Sequence, residues 1–255
     1  MSVASMSGTV RDAIDATAAR LAAAGIDTAR LDARVLMAHV MDRDQAWLIG
    51  YGDDQLPTEA RARYEELVAR RVDREPIAYL TGVREFWSLD FRVTPDTLIP
   101  RPDSEILVEA ALEITWTGKP RILDLGTGSG CLLLAILTEC RHANGLGIDI
   151  NEGAVRIAEQ NAQTVGLSNR ARFRMGTWAA AKSMAEEERF DLVVSNPPYI
   201  PDGKIPEMAP DVRSFEPLGA LSGGADGLGA YREIAVHLHD LIVPGGYFIG
   251  EFGLG

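Results

Sequence analysis

From Pro120 onward, short apolar segments alternate with segments of helical periodicity, and this alternation constrains the fold more than any other feature of the sequence. Strands that are separated by helices in this way form a parallel sheet with helices on both faces. We therefore predict an α/β fold, with strands at residues 121–125, 145–150, 171–175, 190–195 and 245–252 and with helices at residues 131–140, 152–167 and 228–242.

The first 76 residues differ in character, because apolar residues recur there at helical spacing and strand signals are almost absent. We predict that residues 1–76 form a small helical bundle, in which Thr28 and Thr58 are the N-caps of the second and third helices. Aromatic and β-branched residues then alternate within residues 77–100, which predicts a β-hairpin linker. Residues 101–255 are assigned to the α/β domain, which opens with a helix whose N-terminus lies near Ser104.

The composition limits the classes of function that need to be considered. The chain has 255 residues, 46% of them hydrophobic, and a formal net charge of -12. The acidic balance disfavours nonspecific binding to a phosphate backbone. Cys131 and Cys140 are expected to be free thiols, and no cluster of histidines and cysteines suggests a metal site. We see no secretory signal and no membrane helix, and we expect a cytoplasmic protein without a membrane partner.

A glycine loop follows the first predicted strand of the α/β domain, and doubly wound sheets bind ligands at that edge. Asp149 ends the next strand, 19 residues after Gly130. An acid at this position can accept hydrogen bonds from both hydroxyls of a ribose, so the loop and the acid indicate an adenosine-type ligand. A tight turn with a capping aspartate is the structural alternative. The residues of this motif are Asp124, Gly126, Thr127, Gly128, Ser129 and Gly130.

The spacing of these glycines is G-x-G-x-G, whereas a dinucleotide fingerprint is G-x-G-x-x-G. This difference disfavours a nicotinamide-dependent oxidoreductase. The shorter spacing, with Asp124 just before the loop, resembles that of class I S-adenosylmethionine-dependent methyltransferases.

The segment Asn196-Pro197-Pro198-Tyr199 follows the fourth predicted strand of this domain. The prolines end the strand and stiffen its tip. The Asn196 side chain and the Pro197 carbonyl offer acceptors, and Tyr199 offers an aromatic face. Together they suit a planar amino group as the methyl acceptor, although a stiff turn at a strand end would account for the same residues.

In sequence order, "IPRPDSE", "LDLGTGSG", "NPPY" and "FEP" resemble the motifs of the HemK/PrmC family, the peptide chain release factor glutamine N5-methyltransferases. The resemblance covers nearly the whole chain. It implies the class I methyltransferase fold, with S-adenosyl-L-methionine as cofactor. The implied methyl acceptor is the side-chain amide of the glutamine in the Gly-Gly-Gln motif of class I release factors. It also implies that the helical domain and the hairpin help to bind the release factor. Nothing in the sequence requires more than a monomer.

The resemblance also implies roles for individual residues. Asp124 and the loop from Gly126 to Gly130 would line the cofactor pocket, Asp149 would hold the ribose and Trp178 would flank the adenine. Asn196, Pro197, Pro198 and Tyr199 would bind the substrate amide, and Asn196, Pro197 and Tyr199 would act in catalysis, with Asn196 also next to the cofactor. Hydrogen bonds to both amide hydrogens would orient the nitrogen, so that positioning carries much of the rate enhancement and no general base is required.

Two features depart from the family pattern. Thr177 stands where the family usually has an acid before the tryptophan. The sequence also ends at Gly255, just after the fifth predicted strand, so the two further strands of this fold are expected to be missing.

Two functional alternatives share part of these features. An N6-adenine nucleic-acid methyltransferase would have the same loop and the same "NPPY" segment, but a net charge of -12 argues against it. A binding module that has lost catalysis is disfavoured by the presence of Gly128, Asp149 and Asn196.

Overall fold

The computed structural model describes residues 8–184 and 189–253 and divides the chain into two compact units, Met1–Thr81 and Gly82–Gly255. The described part of the first unit consists of five helices. These are α1 (Val10–Ala23), α2 (Ala29–Met41), α3 (Gln45–Gly50), α4 (Thr58–Val72) and α5 (Ile77–Thr81).

The helices of the first unit pack around an apolar core that includes Leu21, Leu36 and Met37. A buried ion pair crosses this core, because Arg71 Nε on α4 donates to Asp32 Oδ2 on α2 over 2.8 Å. The Tyr64 hydroxyl also donates to the Ala33 carbonyl. These polar groups are paired, as buried polar groups must be to avoid a desolvation penalty.

Neither threonine that we predicted as a helix cap forms a side-chain cap. Thr28 precedes α2, but its side chain makes no capping hydrogen bond. At α4 the N-cap residue is Pro57, and Thr58 is the first helical residue. Proline has a fixed φ and no N–H, so Pro57 holds the extended backbone that precedes this helix. The capping box lies instead at α1, where Thr9 Oγ1 accepts from Asp12 N and Asp12 Oδ2 accepts from Thr9 N.

The second unit begins with an antiparallel hairpin and continues as an α/β sheet. Its strands are β1 (Val83–Phe86), β2 (Leu89–Arg92), β3 (Arg121–Leu125), β4 (Asn144–Asp149), β5 (Ala171–Met175), β6 (Phe190–Ser195) and β7 (Ile242–Gly250). Its helices are α6 (Glu105–Leu112), α7 (Cys131–Glu139), α8 (Glu152–Thr164), α9 (Ala181–Met184), α10 (Pro210–Phe215) and α11 (Gly229–Leu241).

The sheet has five parallel strands in the order β5-β4-β3-β6-β7. The predicted α/β fold class is therefore confirmed.

Helix α8 begins after Asn151, whose side chain accepts from Gly153 N, as the sequence predicts. The last helix ends at Leu241, and β7 already begins at Ile242, earlier than predicted. Pro244 explains the difference, because the residue before a proline is driven out of the helical conformation.

The hairpin turns through Trp87 and Ser88, which both have positive φ angles, of 54° and 58°. Two positive φ angles define a type I′ turn, which non-glycine residues adopt only at a cost. Carboxylates offset this cost, since Glu105 Oε1 accepts from Trp87 N and Glu85 Oε1 accepts from Ser88 N.

Asn161 on α8 connects the hairpin to the glycine loop. This residue is buried; its Oδ1 accepts from Arg92 N, and its Nδ2 donates to the carbonyls of Arg92 and Ser129. The hairpin and the loop after β3 are thereby fixed to the same helix.

None of the helices in the described ranges has the length and hydropathy that a membrane crossing requires.

Gly147 in the middle of β4 is required by close packing. A Cβ atom at this position would lie 2.5 Å from Cδ1 of Phe173 and 2.7 Å from Oγ1 of Thr127. Because protein interiors tolerate extra atoms poorly, we expect Gly147→Ala to lower the free energy of unfolding by about 1–3 kcal/mol in chemical denaturation.

Gly203→Ala is the matched control, because a Cβ atom at Gly203 would meet no atom within 4 Å. We expect this variant to stay within about 0.5 kcal/mol of the wild type. Equal losses in the two variants would contradict the packing argument.

Candidate active site

A cavity of about 660 Å³ lies at the carboxyl edge of the sheet in the second unit. This volume is in the range of sites that hold a small molecule or a cofactor. Eight of the nine predicted cofactor residues line it, including Trp178 and Asn196. The other six lie at the ends of β3 and β4 or in the loop after β3, and they are Asp124, Gly126, Thr127, Gly128, Ser129 and Asp149.

Asp149 fixes the glycine loop to the end of β4. Its Oδ2 accepts from Gly128 N and its Oδ1 accepts from Asn151 N, each over 2.9 Å. A carboxylate has about four lone-pair positions, so both oxygens still have acceptor capacity for a ligand. Burial raises the pKa of Asp149 above its ordinary value. This geometry supports the predicted contact between Asp149 and the hydroxyls of a ribose.

Gly130 is not among the residues that line the cavity, although we predicted it there. Its φ is 79°, and a Cβ atom on it would lie 3.1 Å from Ala158 and 3.2 Å from the Phe173 ring. The missing side chain thus allows α7 to start against α8 and β5. A binding role for Gly130 remains a prediction.

Ser129 carries a buried hydroxyl that has no hydrogen-bond partner among the described residues. Such an atom normally finds a partner in protein, water or ligand. Since Ser129 lines the cavity, a bound polar molecule is one way to satisfy it. The chemistry of the loop therefore fits a polar cofactor that approaches the backbone closely.

Thr177 and Trp178 form another part of the cavity wall. The Trp178 ring lies 4.0 Å from the position that a Cβ atom of Gly126 would occupy. Trp178 therefore lies next to the glycine loop, and its role of flanking the adenine remains a prediction.

Asn196 and Pro198 also line the cavity, whereas Pro197 and Tyr199 do not. The residue that follows this segment is fixed by two backbone hydrogen bonds. Ile200 N donates to the Leu221 carbonyl, and Gly223 N donates to the Ile200 carbonyl. The structure therefore brings Asn196 and Pro198 to the same cavity as the glycine loop and Asp149. The substrate roles of Pro197 and Tyr199 remain predictions.

Known proteins provide an independent comparison. The PrmC N-terminal domain family matches residues 12–82, and a family described as methyltransferase domain matches residues 117–249. A release factor glutamine methyltransferase from Rhodospirillum rubrum is 48% identical over 95% of this chain and 73% of its own length. Its counterpart from Cereibacter sphaeroides is 46% identical over 95% of this chain and 84% of its own length. A third, from Bradyrhizobium diazoefficiens, is 44% identical over 93% of this chain and 80% of its own length.

The chain belongs to the release factor glutamine methyltransferase family. This membership confirms the resemblance that the motifs indicated, and the match to a methyltransferase domain agrees with the fold class that we predicted.

Two of the family markers meet at the cavity in a way that sequence reasoning missed. Arg101 of "IPRPDSE" donates to Glu216 of "FEP" over 2.5 Å, and the second Glu216 oxygen accepts from Ile99 N. The Glu216 side chain is buried, whereas Arg101 is partly exposed and lines the cavity. The motifs were informative as markers, but their separation in the sequence concealed this contact.

Within the described residues, no group of three or more His, Cys, Asp or Glu side chains could hold a metal ion.

Asp124 is a buried residue of the cavity lining, and Thr127 Oγ1 donates to its Oδ2 over 2.7 Å. Burial, together with the nearby charge of Asp149, raises the pKa of Asp124 from 3.8 to about 7. The folded protein therefore retains a proton that the unfolded chain has lost between about pH 4 and pH 7.

Because the pKa is raised on folding, the contribution of this carboxyl to stability is present below about pH 4 and is lost as the pH rises through about 7. Asp124→Asn removes this ionisation. We expect the free energy of unfolding of Asp124→Asn to rise relative to that of the wild type by a few kcal/mol from about pH 4 to pH 8, in denaturation without cofactor. A difference between the two proteins that does not change with pH would contradict the raised pKa.

Proposed function

We propose that this protein transfers a methyl group from S-adenosyl-L-methionine to the side-chain amide nitrogen of the glutamine in the Gly-Gly-Gln motif of class I release factors. The observation that carries the proposal is the position of Asn196. It lines the same cavity as the glycine loop and Asp149, in a chain 48% identical to a release factor glutamine methyltransferase.

Bound S-adenosyl-L-methionine would supply an electrophilic methyl group. Within this proposal Asp149 accepts hydrogen bonds from the ribose hydroxyls, and Trp178 covers one face of the adenine. The loop from Gly126 to Ser129 lies along the cofactor. Thr177 lines the cavity beside Trp178. A threonine hydroxyl can accept a hydrogen bond from an adenine amino group, although it lacks the charge of the acid that is usual there.

Asn196 and Pro197 would hold the substrate amide. None of the described residues donates a hydrogen bond to Asn196 Oδ1 or to the Pro197 carbonyl. Two such acceptors can take the two N–H groups of a primary amide and fix the direction of its nitrogen. An amide nitrogen is a weak nucleophile because its lone pair is delocalised, so a fixed approach contributes a large share of the rate enhancement.

The proposal also implies a binding partner, a cellular compartment and an oligomeric state. The region of residues 1–76 falls largely within the match to the PrmC N-terminal domain family. We assign it to release-factor binding, together with the linker of residues 77–100, which contains α5 as well as the predicted β-hairpin. An enzyme of this kind would act in the cytoplasm, where release factors act, and as a monomer.

A methyl-transfer assay with labelled S-adenosyl-L-methionine tests the proposal directly. It offers a class I release factor, the same factor with alanine in place of the Gly-Gly-Gln glutamine, and DNA. We expect label on the unaltered release factor alone, because the acceptor is a single amide nitrogen. Label on DNA without label on the release factor would replace the proposal with an N6-adenine methyltransferase.

Two substitutions separate substrate positioning from cofactor binding. Asn196→Ala removes an acceptor for the substrate amide, so we expect turnover to fall on the order of 100-fold while cofactor affinity changes little. Asp149→Ala removes the ribose contact, so cofactor affinity should fall on the order of 10-fold or more.

Isothermal titration calorimetry measures cofactor affinity, and steady-state assays measure turnover. Unchanged affinity in Asp149→Ala would contradict the ribose contact. A large loss of cofactor affinity in Asn196→Ala would mean that this residue acts on the cofactor rather than on the substrate.

A further inference from the structure

A single carboxylate connects two residues of the "NPPY" segment. Glu251 follows β7, and Ser104 Oγ donates to its Oε2 over 2.5 Å, while the Tyr199 hydroxyl donates to its Oε1 over 3.1 Å. The Asn196 Nδ2 group donates in turn to Ser104 Oγ over 3.0 Å. Glu251 therefore reaches Asn196 through one serine and reaches Tyr199 directly.

The backbone of Glu251 is fixed independently of its side chain. Glu251 N donates to the Ser195 carbonyl over 3.0 Å, and the Glu251 carbonyl accepts from the Tyr231 hydroxyl over 2.7 Å. The carboxylate is thus held beside the end of β6, where the "NPPY" segment begins. A substitution in the side chain of Glu251 leaves both of these backbone contacts in place.

The direction of each hydrogen bond in this chain follows from the number of protons available. Ser104 has one hydroxyl proton, and Glu251 accepts it, so Ser104 Oγ can offer only lone pairs to Asn196. Of the two ends of an asparagine amide, only the NH2 end can fill that position. Asn196 Oδ1 must then face away from Ser104 and is available as an acceptor.

We infer that Glu251 is a positioning residue that, through Ser104, orients the Asn196 amide so that Oδ1 meets the N–H of the substrate amide. This inference rests on the proposed function, and it assigns roles to Glu251 and Ser104 in that reaction. Neither residue touches the reacting atoms in this arrangement.

The alternative orientation of Asn196 shows why a carboxylate is needed. If the Ser104 proton were free, the hydroxyl could rotate and donate to Asn196 Oδ1, which would turn the Asn196 NH2 toward the substrate NH2. Two donors would then face each other, and the substrate amide would lose one of its two acceptors. Glu251 prevents this arrangement by holding the Ser104 proton.

The ionisation of Tyr199 agrees with this arrangement. Burial, together with the charge of Glu251, raises the pKa of Tyr199 to about 12. The hydroxyl therefore keeps its proton at neutral pH and remains a donor to Glu251. The ring of Tyr199 is held in place by the same contact.

Three variants and one control test the inference. Glu251→Gln puts a donor in place of one acceptor oxygen, and Ser104→Ala removes the connecting hydroxyl, whereas Ser104→Thr retains it. The control is Ser195→Ala, because Ser195 is buried next to Asn196 but donates its hydroxyl to the Leu125 carbonyl. Ser104 makes no side-chain capping bond at α6, so Ser104→Ala does not remove a helix cap.

We expect kcat with the release factor to fall on the order of 10–100-fold in Glu251→Gln and Ser104→Ala, and to recover most of its value in Ser104→Thr. Ser195→Ala should keep most of kcat, even where it lowers the unfolding temperature. Cofactor affinity by calorimetry should stay within about 2-fold in all four variants, because none of the substitutions changes the glycine loop or Asp149.

A second readout does not depend on activity. In the wild type, the side-chain amide protons of Asn196 should show nuclear Overhauser contacts to Ser104, and these contacts should weaken or disappear in Glu251→Gln. Wild-type methyl transfer with an unchanged kcat in Glu251→Gln, or equal losses of kcat in Ser104→Ala and Ser195→Ala, would overturn the inference.

The experiments distinguish a failure of the proposed function from a failure of the inference about the Asn196 orientation. A wild type that shows the Asn196 contacts to Ser104 but transfers no methyl group to the release factor glutamine would overturn the proposed function, and with it the role of Glu251 in that reaction. A wild type that transfers the methyl group without showing these contacts would overturn only the inference about orientation.

Discussion

The parallel pairing of β3 with β4 on one side and with β6 on the other is the constraint on which the candidate site depends. In a parallel sheet all the carboxyl ends lie at one edge, so the segments that follow these three strands come together there. The glycine loop follows β3, Asp149 ends β4 and Asn196 follows β6. A shift of one residue in either pairing would turn the strand's side chains to the other face of the sheet and separate these groups.

Much of this arrangement could be predicted from local sequence. The strands at residues 121–125, 171–175 and 190–195 have the predicted bounds, because a buried strand is a short apolar run that a polar or glycine-rich segment ends. The glycine loop and Asp149 were found for the same reason, since both are defined by their position relative to a strand. Thr58 was misassigned as a helix cap because Pro57 takes that position, which residue preference alone does not reveal.

The contacts between residues that are far apart in the sequence could not be predicted in this way. Ser104 is separated from Asn196 by 92 positions and from Glu251 by 147 positions in the sequence. Periodicity and turn chemistry describe neighbours along the chain, and they carry no information on which distant polar groups will share a proton. The contact between Arg101 and Glu216 escaped prediction for the same reason, although both residues lie in motifs that mark the family.

Asp124 and Asp149 show how two neighbouring carboxylates can differ in pKa. Asp149 accepts from two backbone N–H groups, whereas Thr127 is the residue whose side chain donates to Asp124. With fewer donors and complete burial, Asp124 has a pKa of about 7 and is partly protonated at neutral pH. A sulfonium or ammonium group near Asp124 would favour its charged form. Binding of the cationic cofactor would then release a proton, so that cofactor affinity would increase as the pH rises through neutrality.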